Sequence, residues 1–169
     1  RQMCIRDSAE IDVACTLIEN MGRLKIPVWC YEWMTDFNWM RTATTTPSRG
    51  GSVVTSYDHA LMADAPNTEQ GPISEEELWT NLEYFLKRII PVAEKAGVKL
   101  AMHPDDPPRS PIRGVGRIMR TVDNFQRLVD MIPSPVNGIT MCQGNFTLMT
   151  DDLPSVIRQF GKQNKVFFV

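Results

Sequence analysis

The sequence contains few cysteines and no long apolar run, and both absences exclude classes of protein. Cysteine occurs four times in 169 residues, at positions 4, 15, 30 and 142, without a CxxC pair, which is too sparse for a disulfide scaffold. No stretch approaches the roughly 20 apolar residues that cross a bilayer, and the first residues do not resemble a signal peptide. We therefore expect a cytoplasmic protein without a membrane partner.

The chain also lacks a large excess of either positive or negative charge. The chain has 18 Lys and Arg residues against 20 Asp and Glu residues, a net charge of −2, and no block of like charges. A protein that grips nucleic acid usually carries a basic stripe, so we expect no nucleic-acid partner. The apolar share of 43% is enough for the core of one ordinary domain.

The two ends of the chain differ from the rest. Residues 1–8 follow neither a helical nor a strand period, and we interpret them as a non-native segment. At the other end, residues 165–169 form an apolar run typical of a buried strand. We therefore assign one domain to residues 9–169 and expect it to be part of a longer protein.

Between the ends, predicted helices and strands alternate. Apolar spacing and capping signals predict helices from about 11 to 22, from Ser74 to Gly97, from Thr121 to Ile132 and from Asp151 to about 160, with a kink or a local break at Pro91. Apolar runs predict strands over 26–33, 98–103, 139–142 and 166–169. Residues 34–73 show no sustained period, which predicts a long loop of the kind that often carries function.

This alternation predicts an α/β protein with a parallel sheet. A doubly wound sheet and a (β/α)8 TIM barrel both fit the pattern, but no GxGxxG follows any strand, which disfavours a dinucleotide-binding fold. A complete barrel takes about 250 residues. We therefore expect a partial TIM barrel, about half of one.

Reactive groups of parallel α/β proteins gather at the carboxyl ends of the strands, where two residues of this chain stand out. His103 ends the second predicted strand and Cys142 ends the third, one strand–helix–strand repeat later. Imidazole and thiolate together suit zinc, ferrous iron or manganese. The alternative is a hydrogen-bonded structural histidine and an inert buried cysteine.

Other polar and aromatic residues near these ends are weaker candidates. Asp105 is a candidate to orient His103, whereas Asp106 is interpreted as part of a turn before two prolines. Two tryptophans, Trp33 and Trp39, suit stacking on a sugar ring, although core packing is expected for at least one of them. The arginines of the following loop suit anion binding or a solvated surface. They are Arg109, Arg113, Arg117 and Arg120. His59 is interpreted as part of a surface turn.

Several of these runs resemble one enzyme family. The motifs are HPDDPP at 103–108 with Gly-Arg-Ile at 116–118, Met-Cys-Gln-Gly-Asn at 141–145, Asn-Trp-Met-Arg-Thr at 38–42 and Ser-Arg-Gly-Gly-Ser at 48–52. Together, from about residue 26 to residue 169, they resemble mannonate dehydratase, a family similar in fold to the xylose-isomerase-like TIM barrels. HPDDPP followed by the CQGN-like strand end is the most specific part of this resemblance.

The resemblance implies the function, the metal and the site residues. It implies dehydration of D-mannonate to 2-dehydro-3-deoxy-D-gluconate in hexuronate catabolism, with His103 and Cys142 as ligands of Mn²⁺ or Fe²⁺. A further histidine, a carboxylate ligand and the acid and base are expected after Val169, so the catalytic residues are not assigned here. From residue type and placement, Trp39, Arg41 and Arg117 are the candidate substrate-binding residues.

Two alternatives to this function stay open. One is another xylose-isomerase-like activity, a sugar isomerase or epimerase with a similar metal. The other is a non-catalytic, truncated chain that binds a sugar acid. The expected partner is a small sugar acid, D-mannonate, and a homo-oligomer is compatible with the sequence.

Overall fold

A computed structural model describes residues 8–169, and its strands form two separate sheets. Four parallel strands, β1 (Val28–Tyr31), β4 (Lys99–Met102), β5 (Asn137–Thr140) and β6 (Val166–Phe168), lie in that order. Two antiparallel strands, β2 (Ala43–Pro47) and β3 (Val53–Ser56), form a hairpin. The four-stranded sheet confirms the parallel half-barrel that the sequence predicts.

The described residues form five α-helices, and all but the shortest, which no sequence signal predicts, lie where apolar spacing predicts them. They are α1 (Ser8–Arg23), α2 (Glu75–Ala96), α3 (Val122–Met131), a short α4 (Gln143–Phe146) and α5 (Leu153–Lys162). The predicted caps are present, because Ser74 accepts from the Glu77 N–H and Thr121 accepts from the Asn124 N–H. Helix α2 continues through Pro91 to Ala96, so the proline does not end it.

The core lies between the helices and one face of the parallel sheet. Leu100, Met102 and Ile139 on that face are buried among the apolar faces of α1, α2, α3 and α5. Because side chains alternate along a strand, the opposite face carries Cys30, Ala101 and Thr140, and the Cys30 Sγ lies 3.1 Å from the Thr140 Oγ1. This second face faces the barrel interior.

Two elements differ from the prediction. Residues 34–73 contain the β2–β3 hairpin and two 3₁₀ turns, at 49–51 and 60–62. Sequence periodicity misses the hairpin because its strands are exposed and rich in threonine, without the alternation of a half-buried strand. Strand β5 begins at Asn137, earlier than expected, because the buried Asn137 amide donates to the carbonyls of Leu128 and Ile132.

Two further findings concern the limits of the chain. Of the segment 1–8, which we interpret as non-native, residues 1–7 lie outside the described part, and Ser8 begins α1. Within residues 8–169, none of the helices combines the length and the apolar character needed to cross a lipid bilayer.

Candidate metal and substrate site

His103 lies directly after β4, at the carboxyl edge of the parallel sheet. Its backbone N–H donates to the Tyr31 carbonyl at 2.7 Å, which joins the end of β4 to the end of β1. The His103 Nδ1 lies 2.8 Å from the Pro104 carbonyl oxygen. Because a carbonyl can only accept, this contact places the proton on Nδ1 and leaves the lone pair on Nε2, the arrangement that metal-binding histidines adopt.

Cys142 lies on the same edge and the same face of the sheet. Met102 pairs with Ile139, so His103 is level with Thr140, and Cys142 follows two residues later. Residues two apart on a strand point to the same side, so this register indicates the interior face for both residues. Cys142 itself follows β5 and is the N-cap of α4. The structure confirms that the strands before His103 and Cys142 are adjacent and parallel, whereas their shared role as metal ligands stays a prediction.

The loop ends that carry His103 and Cys142 are joined by Asn145. Its Nδ2 donates to the Asp105 carbonyl at 2.8 Å, and its Oδ1 lies 3.4 Å from the Cys142 Sγ. In residues 8–169, no three side chains of His, Cys, Asp or Glu come close enough to hold a metal ion together. His103 and Cys142 therefore stay candidate ligands, and a metal site that includes them would need further ligands.

Asp105 and Arg117 form a buried ion pair beneath the site. Each side chain is 1% exposed, and the Arg117 Nη1 lies 3.4 Å from the Asp105 Oδ1. The Asp105 Oδ2 accepts from the Met119 N–H at 2.7 Å. Burial raises the pKa of Asp105 to about 6, although the Arg117 guanidinium and the Met119 N–H act in the opposite direction.

Arg117 also anchors the loop that follows β1. Its Nη2 donates to the carbonyls of Phe37 and Asn38, both at 3.0 Å, and its guanidinium lies 4.4 Å from the centre of the Phe37 ring. The pair therefore joins the loops after β1 and β4. Asp105 touches Arg117 and Met119, and the ring of His103 is oriented by the Pro104 carbonyl instead.

The two tryptophans separate into one core residue and one exposed residue. Trp33 is buried, with its ring centre 5.1 Å from that of Phe85. Trp39 is 65% exposed and lines a cavity of about 230 Å³ together with Glu32 and His103. Of the two, Trp39 is therefore the one that a sugar ring can reach.

Arg41 is held by Asp106, which sequence reasoning interpreted as part of a turn. Its Nη2 and Nη1 donate to the two Asp106 carboxylate oxygens at 2.7 and 3.1 Å, and its Nε donates to the Thr55 hydroxyl at 3.2 Å. This bidentate pair fastens the β2–β3 hairpin to the loop after β4. No sequence signal predicts it, because the partners are 65 residues apart.

The remaining residues of interest lie around the hairpin and the loop after β4. The Tyr57 hydroxyl lies 2.8 Å from the His59 Nδ1, beside a cavity of about 470 Å³ that Arg41 and Asp106 also line. Arg113 donates to the Pro66 carbonyl and Arg120 to the Glu75 carboxylate. These two arginines bind the protein itself.

Comparisons with known proteins agree with this architecture. The family model described as D-mannonate dehydratase (UxuA) matches residues 4–71 and 67–169. A solved structure, mannonate dehydratase from Streptococcus suis serotype 2, superposes with a TM-score of 0.86 at 35% identity, over 99% of this chain and 50% of that one.

Curated relatives lead to the same family. The mannonate dehydratase of Thermotoga neapolitana is 36% identical over 89% of this chain and 51% of its own length. That of Streptococcus equi subsp. zooepidemicus is 39% identical over 78% of this chain and 42% of its own length. The chain spans about half the length of these relatives. Since the family model covers nearly the whole chain, the protein belongs to the D-mannonate dehydratase (UxuA) family.

Proposed function

We propose that the full-length protein carrying this chain dehydrates D-mannonate to 2-dehydro-3-deoxy-D-gluconate in hexuronate catabolism, with Mn²⁺ or Fe²⁺ as cofactor. The observation that carries the proposal is that His103 and Cys142 follow the carboxyl ends of two adjacent parallel strands, β4 and β5, in a chain of this family. A neutral imidazole and a thiolate suit such a metal when further imidazole and carboxylate ligands complete the set.

The residues present fit this cofactor. The contact of the His103 Nδ1 with the Pro104 carbonyl leaves Nε2 as the ring nitrogen for a metal, and Cys142, once deprotonated, supplies a thiolate. We propose that the remaining ligands, and the acid and base, follow Val169 in the full-length protein. When bound, the metal polarises the substrate oxygens and stabilises the negative charge that develops as the proton beside the carboxylate leaves.

The other predicted site residues contribute to binding and positioning. Trp39 presents an exposed ring to the cavity at His103, which suits the C–H face of a sugar acid. Arg41 is held in a fixed orientation by Asp106, which suits donation to substrate hydroxyls. We propose that Arg117 and Asp105 are positioning residues: their buried ion pair holds the loops after β1 and β4 in place. Direct substrate contact by Arg117 would require it to break its ion pair.

The proposed partner is a small sugar acid and not a nucleic acid. This is supported by the arginines at 113, 117 and 120, whose donors go to protein carbonyls and carboxylates. A homo-oligomer and a cytoplasmic location stay predictions.

Metal content tests the ligand assignment directly. We expect His103→Ala and Cys142→Ser to lose bound Mn or Fe in the purified full-length protein, measured by elemental analysis. The matched controls are His59→Ala, after β3, and Cys15→Ser, on α1, which make the same changes away from the cavity at His103 and are expected to keep the metal. Undiminished metal in both ligand variants would contradict the assignment.

Product analysis tests the reaction. Incubation of the wild-type protein with D-mannonate is expected to give a 2-keto-3-deoxy acid, detected by mass loss of one water. An isomeric acid of unchanged mass would favour the isomerase or epimerase alternative instead.

A further inference from the structure

The cavity between the β2–β3 hairpin and the loop after β4 has the lining of a polyol site. It measures about 470 Å³. Its lining combines polar side chains, among them Arg41, Tyr57, His59 and Asp106, with the apolar rings of Pro107 and Pro108. A sugar chain likewise presents hydroxyls on some faces and C–H groups on others, so both kinds of group have a counterpart in such a ligand.

The polar groups of this cavity are held in place by one another. The Tyr57 hydroxyl and the His59 Nδ1 share a hydrogen bond of 2.8 Å, and the Arg41–Asp106 pair is bidentate. After these contacts, the Tyr57 oxygen, the His59 Nε2 and the Asp106 oxygens keep capacity for a further hydrogen bond. A hydroxyl both donates and accepts, so it can pair with each member of this mixed set.

The cavity is within reach of the metal-ligand candidate. Asp106 follows His103 by three residues, so their Cα atoms are separated by roughly 10 Å at most. An extended six-carbon acid is of comparable length. A six-carbon acid with its carboxylate end at His103 is therefore long enough to bring its terminal hydroxyls to the neighbourhood of Asp106.

We propose that this hairpin cavity binds the C5–C6 hydroxyl end of the sugar acid, and that Tyr57 and His59 select six-carbon over five-carbon acids. The proposal rests on the proposed function, because it takes His103 to mark the reacting end of the substrate. His59, which the sequence places in a surface turn, thereby gains a role in specificity.

The test compares two substrates that differ only at this end. D-Lyxonate has the configuration of D-mannonate at C2, C3 and C4 but lacks its last carbon. In the full-length protein we expect Tyr57→Phe and His59→Gln each to lower kcat/KM for D-mannonate by about tenfold, the effect of losing one hydrogen bond to a substrate hydroxyl. The value for D-lyxonate should stay nearly unchanged, so that the preference for mannonate falls. Tyr84→Phe, the same change on α2, is the matched control and should alter neither value.

Each outcome decides the proposal. An equal loss for both acids in the two variants would overturn it, since that result places the shared carboxylate end in the cavity, or reflects general damage. No loss for either acid would also overturn it. If the wild-type protein turns over neither acid, the proposed function fails, and calorimetric affinities for the same acids then test the cavity separately. In that binding experiment, a tighter affinity for D-mannonate than for D-lyxonate that both variants reduce would support the cavity proposal. Failure of the wild-type protein to bind either acid would overturn the cavity proposal.

Discussion

Replacing Arg117 by methionine tests whether the buried ion pair holds the strand-end loops. The substitution keeps an unbranched side chain in a site that is 1% exposed but removes the cation 3.4 Å from the Asp105 carboxylate. It also removes the donors to the Phe37 and Asn38 carbonyls. Removing one partner of a buried pair leaves an uncompensated charge, so we expect the free energy of unfolding at pH 8 to fall by about 3–5 kcal/mol.

The pH dependence separates this mechanism from simple loss of packing. Burial raises the pKa of folded Asp105 from 3.8 to about 6, so the folded state binds the proton more tightly than the unfolded state. The protonated Asp105 carboxyl therefore contributes its full stabilisation below about pH 4. This contribution to the free energy of unfolding, about 3 kcal/mol, is lost as the pH rises through 6. Removing Arg117 takes away an interaction that lowers the pKa of Asp105, so the pKa rises further and ionisation costs more in the variant.

Urea unfolding of the full-length protein at pH 5 and pH 8 measures this difference. We expect Arg117→Met to destabilise the protein more at pH 8 than at pH 5, where the Asp105 carboxyl is protonated in both proteins. Adding Asp105→Asn should remove most of the pH dependence of the loss. Arg158→Met, on the exposed face of α5, is the matched control and should change stability little at either pH. An equal loss at the two pH values would refute the reasoning.

Two further predictions concern packing and the sheet edges. Gly138→Ala should destabilise the protein by about 1–3 kcal/mol, because an added Cβ would overlap the Phe167 ring and the Lys165 carbonyl. Gly161→Ala, whose Cβ would meet nothing within 4 Å, is its control, and equal unfolding midpoints would contradict the steric argument. The isolated 169-residue chain should self-associate in size-exclusion chromatography, because β1 and β6 are the outer strands of its parallel sheet and Phe168 is half exposed. A monodisperse monomer would contradict this prediction.

The sequence predicts the parallel sheet and its helices because their signals are local and repeated. The capping residues Ser74 and Thr121 and the apolar stripes that follow them depend on neighbours within a few positions, and the structure confirms both caps. The relation of His103 to Cys142 is also predictable. Once two strands are parallel and adjacent, the strand–helix–strand repeat decides which ends share an edge.

The loops could not be predicted in the same way, because their contacts join distant parts of the chain. Arg109, Arg113, Arg117 and Arg120 look equivalent in sequence, yet Arg117 alone among these four is buried. Its burial depends on Phe37 and Asn38, which lie 80 and 79 residues away. Local composition favours a solvated surface for all four, and tertiary placement overrides it for one.

The β2–β3 hairpin shows why contacts between distant residues matter for function. Asp106 follows a strand and precedes a proline, so its local context indicates a turn, and His59 lies in a polar stretch that indicates a surface. Each gains a different role only after Arg41 joins the hairpin to the loop after β4. The strand ends of this half-barrel place the proposed metal ligands, whereas the long segment between β1 and α2 supplies the groups proposed to distinguish one sugar acid from another. Loops vary more freely than core strands, so on this proposal a change in the hairpin would alter the substrate while the proposed metal ligands at the strand ends stay the same.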